Sequence, residues 1–402
     1  MKKYKLAFLT SQVIEDQAPL FKKLAQHPEI DLMVYFCRDI GVNKPGKEEE
    51  FGVEIKYSKS LLEGYQYKFL KNFSIKPSNS FLGMVNFGII FELFRHRYDA
   101  IIVHGYSHFT DWLAFLGAFL SRTPIFLRGE VVLKPNQAFW KKLIKRLFFS
   151  PLFRYVSAFL IMIEKNKDFY RYYGADENKF FLTPSAVDNE RFQKDYEILK
   201  DKKEELRNSL GISKEAATIL FVGKLVPRKK PIDLLNAYKI LFNDEEIRKE
   251  NIALIYVGEG ELKKEMEDYV REDNLKNIFL VGFKNQSEIT KYYAMSDIFV
   301  LPSTAGEVLP VVINEAMCFS LPAIVSDAIP SSSEFVKHGE NGYIFPCGNV
   351  EKLADYLKDL INNKEKREKF GKKSFEIIQN YTYEKDVEGI LEALNYVKRN
   401  KK

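Results

Sequence analysis

The chain reads as an α/β protein built from two doubly wound parallel sheets, and three observations predict it. At 402 residues it exceeds what one hydrophobic core usually organises. Short apolar runs of strand length alternate with helix-like sequence, the pattern of a parallel sheet covered on both faces. A polar, helix-prone stretch over residues 193–214 interrupts the alternation, which then starts afresh. The boundary is placed there. It gives a first domain over 1–195, a second over 196–385 and a terminal helix over 386–402 expected to pack back toward the first domain.

Taken in order, residues 5–10 form the first strand, a helix runs through 19–25 and a second strand covers 31–36. Residues 46–80 show no clear period. Further strands fall at 100–103 and 124–127, with helical sequence around 109–119 between them. The second half opens with 218–223, 252–258 and 278–282, each a buried-strand run ending in glycine. Strand-like runs at 298–301 and 323–325 enclose a short helix. Pro310 suits its first turn, where a fixed φ fits and a missing N–H has no partner to lose, and Ser320-Leu321-Pro322 ends it. Polar amphipathic helices fill 351–396, and 398–402 is expected to fray. There is no repeat of solenoid period and no low-complexity tract.

Composition narrows the function. Apolar residues at 46% and charged ones at 29% describe an ordinary globular protein. Sixty-one basic residues against 55 acidic ones leave +6, a mild bias that argues against nucleic acid while leaving anionic partners open. Cys37, Cys318 and Cys347 show no metal-ligand or disulfide spacing, which fits a reducing cytoplasm. The apolar stretch after Met1 is too short for a signal, and no run approaches membrane-span length.

Two carboxylates carry most of the chemistry. Glu315 lies in the short helix among Val311, Val312, Ile313, Ala316 and Met317, apolar on nearly every side. A carboxylate there is costly without a partner, and a ligand offering two hydroxyls, such as a ribose, would satisfy it. Glu307, in the preceding loop, could reach a second polyol. The arrangement points to a sugar nucleotide. Lys224 follows the strand that ends at Gly223, with Lys229 and Lys230 in the next loop. Cations at a strand's carboxyl end can meet a diphosphate and offset charge on a leaving group, although a solvated basic loop would read alike. The N–H groups of Val311 and Val312 at the helix start offer an anion site. Gly258-Glu259-Gly260 matches neither a dinucleotide fingerprint nor a P-loop and reads as a tight turn. Phe283 and Lys284, after Gly282, are the candidate seat for a nucleobase.

In the first half, His104, Arg128 and Glu130 follow apolar strands and are the acceptor-side candidates. Their spacing fits neither zinc nor a catalytic triad, so no metal is expected. His104 reads equally as a structural histidine, and Arg128 and Glu130 as partners of one another. Residues 138–149 combine Lys141, Lys142, Lys145 and Arg146 with Trp140, Leu143, Ile144, Leu147 and Phe148 at helical spacing. This is either a core-packed helix with a solvated basic face or an interfacial helix on anionic lipid.

In order, the segments 223–229, 258–260, 297–303, 307–315 and 321–327, with 184–188 in the first half, resemble the family-4 retaining glycosyltransferases of the GT-B fold. The likeness is strong over about residues 215–350. It implies two Rossmann-like domains facing across a cleft, and metal-independent transfer of a hexose-type sugar from a nucleotide donor to a glycan or lipid-linked acceptor in surface polysaccharide or glycoconjugate synthesis. The implied setting is cytoplasmic, or peripheral on the membrane's inner face, with no cofactor. In that resemblance Glu315 contacts the donor ribose, Glu307 the sugar hydroxyls, and Lys224 and Lys229 the diphosphate, with Gly223 in the same donor loop. Lys224 stands where arginine is usual, Lys230 where glycine is common, and Val308-Leu309-Pro310 replaces a glycine-containing stretch. No glycine-rich loop follows the first strand, and Glu130 falls where many relatives have histidine. The rival expectations are a nucleotide-sugar sensor or scaffold without turnover, and an epimerase or dehydrogenase, the latter opposed by the missing dinucleotide fingerprint.

Overall fold

The computed structural model describes residues 3–39, 46–47, 54–55, 59–133, 137–247 and 251–400. They form two compact units. One runs to Ser185 and resumes at Tyr383; the other covers Ala186–Thr382.

The first unit's strands are Tyr4–Thr10 (β1), Ile30–Phe36 (β2), Gly46–Lys47 (β3), Glu54–Ile55 (β4), Gln66–Phe69 (β5), Ala100–His104 (β6), Ile125–Arg128 (β7), Val156–Ile161 (β8) and Phe180–Leu182 (β9). Those of the second are Ala217–Val222 (β10), Ile252–Val257 (β11), Ile278–Leu280 (β12), Ile298–Leu301 (β13), Ala323–Ser326 (β14) and Gly342–Phe345 (β15). Among the described residues the first sheet has the order β5-β2-β1-β6-β7-β8-β9 and the second β12-β11-β10-β13-β14-β15. Every pairing within these two sheets is parallel. β3 and β4 make a separate antiparallel pair.

Helices cover both faces of a doubly wound sheet, so its central strands are buried throughout and read as unbroken apolar runs. All six residues of β10 and of β11 are buried. The order reverses beside β1 in one sheet and beside β10 in the other. Beyond the carboxyl ends of the strands at such a reversal the sheet leaves a crevice where ligands bind. In the second unit that crevice is flanked by the loops after β10 and β13.

The division at Ser185 precedes the expected 195/196 boundary, for a physical reason. The helix Asn189–Leu199 is fastened to the second unit by its first turns, where the Asn189 amide donates to the carbonyls of Ile378 and Tyr381, both at 3.1 Å. The last helix, Tyr383–Asn400, clusters with the first unit. Fraying was expected over 398–402; the helix continues to Asn400, and residues 401–402 lie outside the described residues, as does much of 46–58. β5, β8, β9 and β15 were not read from sequence. β5 is an edge strand exposed along most of its length, so it lacks the apolar run that marks its neighbours.

Candidate active site

Three loops of the second unit are tied together by their backbones at the reversal point. Leu225 N–H donates to the Glu259 carbonyl and Leu262 N–H to the Leu225 carbonyl, each at 2.9 Å, while Thr304 N–H donates to the Arg228 carbonyl at 2.8 Å. The glycines of 258–260 serve this close approach. A Cβ on Gly258 would sit 1.9 Å from the Gly223 carbonyl oxygen, and one on Gly260 2.4 Å from that of Leu225. The tight-turn reading describes this backbone contact.

Within the frame, Lys229 ends the 3-10 turn Pro227–Lys229 and is buried, and its ammonium pairs with the Glu307 Oε1. Burial holds the Lys229 pKa below the usual lysine value, and Glu307 pulls the other way. Glu307 Oε2 is buried with no hydrogen-bond partner among the described residues. A carboxylate half satisfied in a crevice is placed to accept from a hydroxyl that arrives from outside. Lys224 lies close enough for its charge to act on Lys229. Lys230 has φ +49°, the left-handed region where glycine is unstrained, and its ammonium pairs with Asp233 at 2.8 Å.

Glu315 sits within the helix Val311–Cys318, which Pro310 caps. The residue is 5% exposed, and its Oε2 accepts from the Tyr293 hydroxyl at 2.6 Å. Tyr293, on the helix Ile289–Met295, is held by stacking on Phe319, with ring centroids 5.5 Å apart. Sequence reasoning assigned the partner of Glu315 to a ligand; the fold itself supplies one partner, and no local pattern announces it. Val311 and Val312 form the first turn, where no side chain caps the helix among the described residues. The loop bearing Phe283 and Lys284 is anchored by Arg191, which donates to the Gln286 carbonyl and side chain at 3.0 and 2.9 Å. Phe283 is exposed and Lys284 half-buried.

In the first unit, His104 and Arg128 end neighbouring strands and are register partners. The Arg128 guanidinium donates to Asp386 Oδ1 at 3.1 Å, on the last helix, and both groups are buried. Sequence missed Asp386, which stands 258 residues from Arg128. Burial raises the Asp386 carboxyl to about 7 despite the attraction of Arg128. Burial, with Arg128 alongside, lowers the His104 imidazole to about 3, so the ring is neutral at pH 7. Glu130 is exposed beyond the strand.

Two Rossmann-like parallel sheets, the second carrying cations and carboxylates at its reversal point, define the GT-B class of fold. Residues 202–377 match the family described as glycosyl transferases group 1. That segment resembles the group 1 glycosyl transferases, and the two sheets have the GT-B fold. It is 30% identical over 198 residues to spore coat protein SA of Bacillus subtilis, covering 47% of this chain and 51% of that one. Against the UDP-Gal:alpha-D-GlcNAc-diphosphoundecaprenol alpha-1,3-galactosyltransferase of Escherichia coli it is 31% identical over 192 residues, 47% of each chain. The chain thus spans about half the length of the curated relatives it matches. Among solved structures it is similar to Anabaena Alr3699/HepE in complex with UDP, with a TM-score of 0.73, 18% identity and coverage of 97% of this chain and 99% of that one.

Proposed function

We propose that the chain is a retaining, metal-independent glycosyltransferase. It moves a hexose-type sugar from a nucleotide donor to a glycan or lipid-linked acceptor in surface polysaccharide or glycoconjugate synthesis, working in the cytoplasm or on the membrane's inner face. The buried Lys229–Glu307 pair beside the half-satisfied Glu307 carboxylate carries the reading. A buried ammonium and a largely covered carboxylate hold each other until a donor offers each a better partner. The diphosphate draws Lys229, with Lys224 beside it, and sugar hydroxyls donate to Glu307. The two ammonium groups then offset charge on the departing nucleoside diphosphate. Glu315, positioned by Tyr293, accepts from the ribose; the N–H groups of Val311 and Val312 face phosphate oxygens, and Gly223, Phe283 and Lys284 border the nucleoside. His104, Arg128 and Glu130 remain the acceptor-side proposal, with Arg128 acting through its pair with Asp386. A UDP complex of the Anabaena protein and a galactosyltransferase name among the relatives support the donor class.

The test is a thermal-shift screen against UDP-, GDP-, ADP- and dTDP-sugars, since a ligand that binds only the folded state raises its midpoint. One nucleotide series should stabilise the wild type and lose most of its effect in Glu315→Gln, which still accepts from Tyr293. Nuclear magnetic resonance of the product should show the donor's anomeric configuration kept. Equal shifts in wild type and variant would remove Glu315 from the site, and binding without turnover would turn the chain into a sensor.

A further inference from the structure

We propose that the first unit docks on an anionic lipid surface through an apolar face built from three helices, Gly88–His96, Phe109–Ser121 and Phe139–Tyr155. The face extends well beyond the basic helix noted in the sequence. Phe149 and Phe153 anchor Phe139–Tyr155 to the body. At 3.6 residues per turn, Trp140, Leu143, Ile144 and Leu147 project from the opposite side, and they are 47–67% exposed. The core-packed reading of this helix therefore fails: its apolar stripe faces outward.

The other two helices continue the same surface. Leu116, Phe119 and Leu120 are exposed on one, Phe91 and Phe94 on the other. The Phe119 ring lies 5.0 Å from that of Tyr155, and Trp112 6.3 Å from Phe148. Gly117 lets the first two helices approach, its Cβ position only 3.0 Å from the Ile90 Cα. So broad an apolar surface is uncommon on a soluble domain and marks an interaction site.

Charge selects the occupant. Arg95, Arg97, Arg122, Lys141, Arg146 and Arg154 are exposed around this face. Among the described residues the acidic groups of these helices are Glu92 and Asp111, and both are engaged, Glu92 by Lys68 and Tyr35 and Asp111 by the His108 N–H. Aromatic and aliphatic side chains ringed by cations match the acyl boundary and headgroups of an anionic leaflet. A second copy packed about a two-fold axis would instead bring these cations onto one another. No helix of the described residues is long and apolar enough to cross a membrane, so the contact is with the surface.

The inference extends the proposal of a lipid-linked acceptor, and its test needs neither donor nor acceptor. The full chain is floated with phosphatidylcholine vesicles, alone or mixed with phosphatidylglycerol. It should rise with the anionic vesicles and stay behind with the neutral ones. Lys141→Glu/Arg146→Glu should weaken vesicle affinity by about tenfold or more, since each cation near such a surface is worth roughly fivefold. Leu147→Glu should do likewise, with all variants melting near the wild-type temperature because the positions are exposed. No flotation, equal flotation with both vesicles, or variants that float like wild type would overturn the proposal. So would a concentration-dependent dimer that Leu147→Glu dissolves. A chain that floats but transfers nothing would sink the glycosyltransferase reading and leave this one standing.

Discussion

Glu307 favours the charged form of Lys229 in a place where a lone ammonium would be expensive. Removing one partner of a buried pair leaves the other uncompensated, whereas removing both abolishes the problem. Lys229→Ala is therefore expected to cost about 3 kcal/mol. Lys229→Ala/Glu307→Ala should cost clearly less than the sum of the single variants, as read by urea unfolding. His104 and Asp386 give the first unit a pH dependence with two opposing arms. The Asp386 carboxyl is raised to about 7 from an unfolded value near 4, so its contribution is present at low pH and lost as pH climbs through about 7. His104 is lowered to about 3, so its contribution is present above roughly pH 6.5 and lost as pH falls. Above about pH 6.5 only Asp386 still acts. Thermal melts should show the first unit weakening from there toward pH 8, and Asp386→Asn should flatten that decline.

At the level of elements, legibility followed burial in most strands, although β8, buried at five of its six residues, was missed. β10, β11, β13 and β14 are buried throughout, and each is dominated by an apolar run that the sequence shows at once. β5 lies at a sheet edge with polar, exposed positions and left no such trace. The site divides the same way. The candidate cations follow a strand, Glu307 precedes a short helix and Glu315 lies inside it, all readable locally, while their pairings were not. Lys229 meets Glu307 across 78 residues and Tyr293 meets Glu315 across 22, distances at which only the folded sheet sets the neighbours. Lys230 is a local exception, where sequence and geometry agree. Glycine is common at this position in the family it resembles, and the backbone turns left-handed there. Lys230→Gly should be more stable than Lys230→Ala by about 1 kcal/mol, because both lose the Asp233 pair and only alanine keeps the strain. Chemical denaturation of the two variants side by side measures it.

Across the whole molecule, the first unit is interrupted: its chain leaves at Ser185 and returns at Tyr383. The returning helix buries Ile390, Ala393 and Leu394 and supplies Asp386 to Arg128. Its backbone passes so close to β9 that a Cβ on Gly389 would lie 1.8 Å from the Leu182 carbonyl oxygen. Truncation after Thr382 should therefore expose the first unit to protease while residues 186–382 resist digestion, and a single loss of both would show that the units do not melt separately. The interruption also orders events on the ribosome. Everything between Ala186 and Thr382 has been synthesised before the helix that closes the first unit emerges. The segment made first is thus the last to be finished, waiting with an unfilled groove and an unmatched arginine while a later one folds. That delay makes the nascent first unit, rather than the second, the natural client of a chaperone.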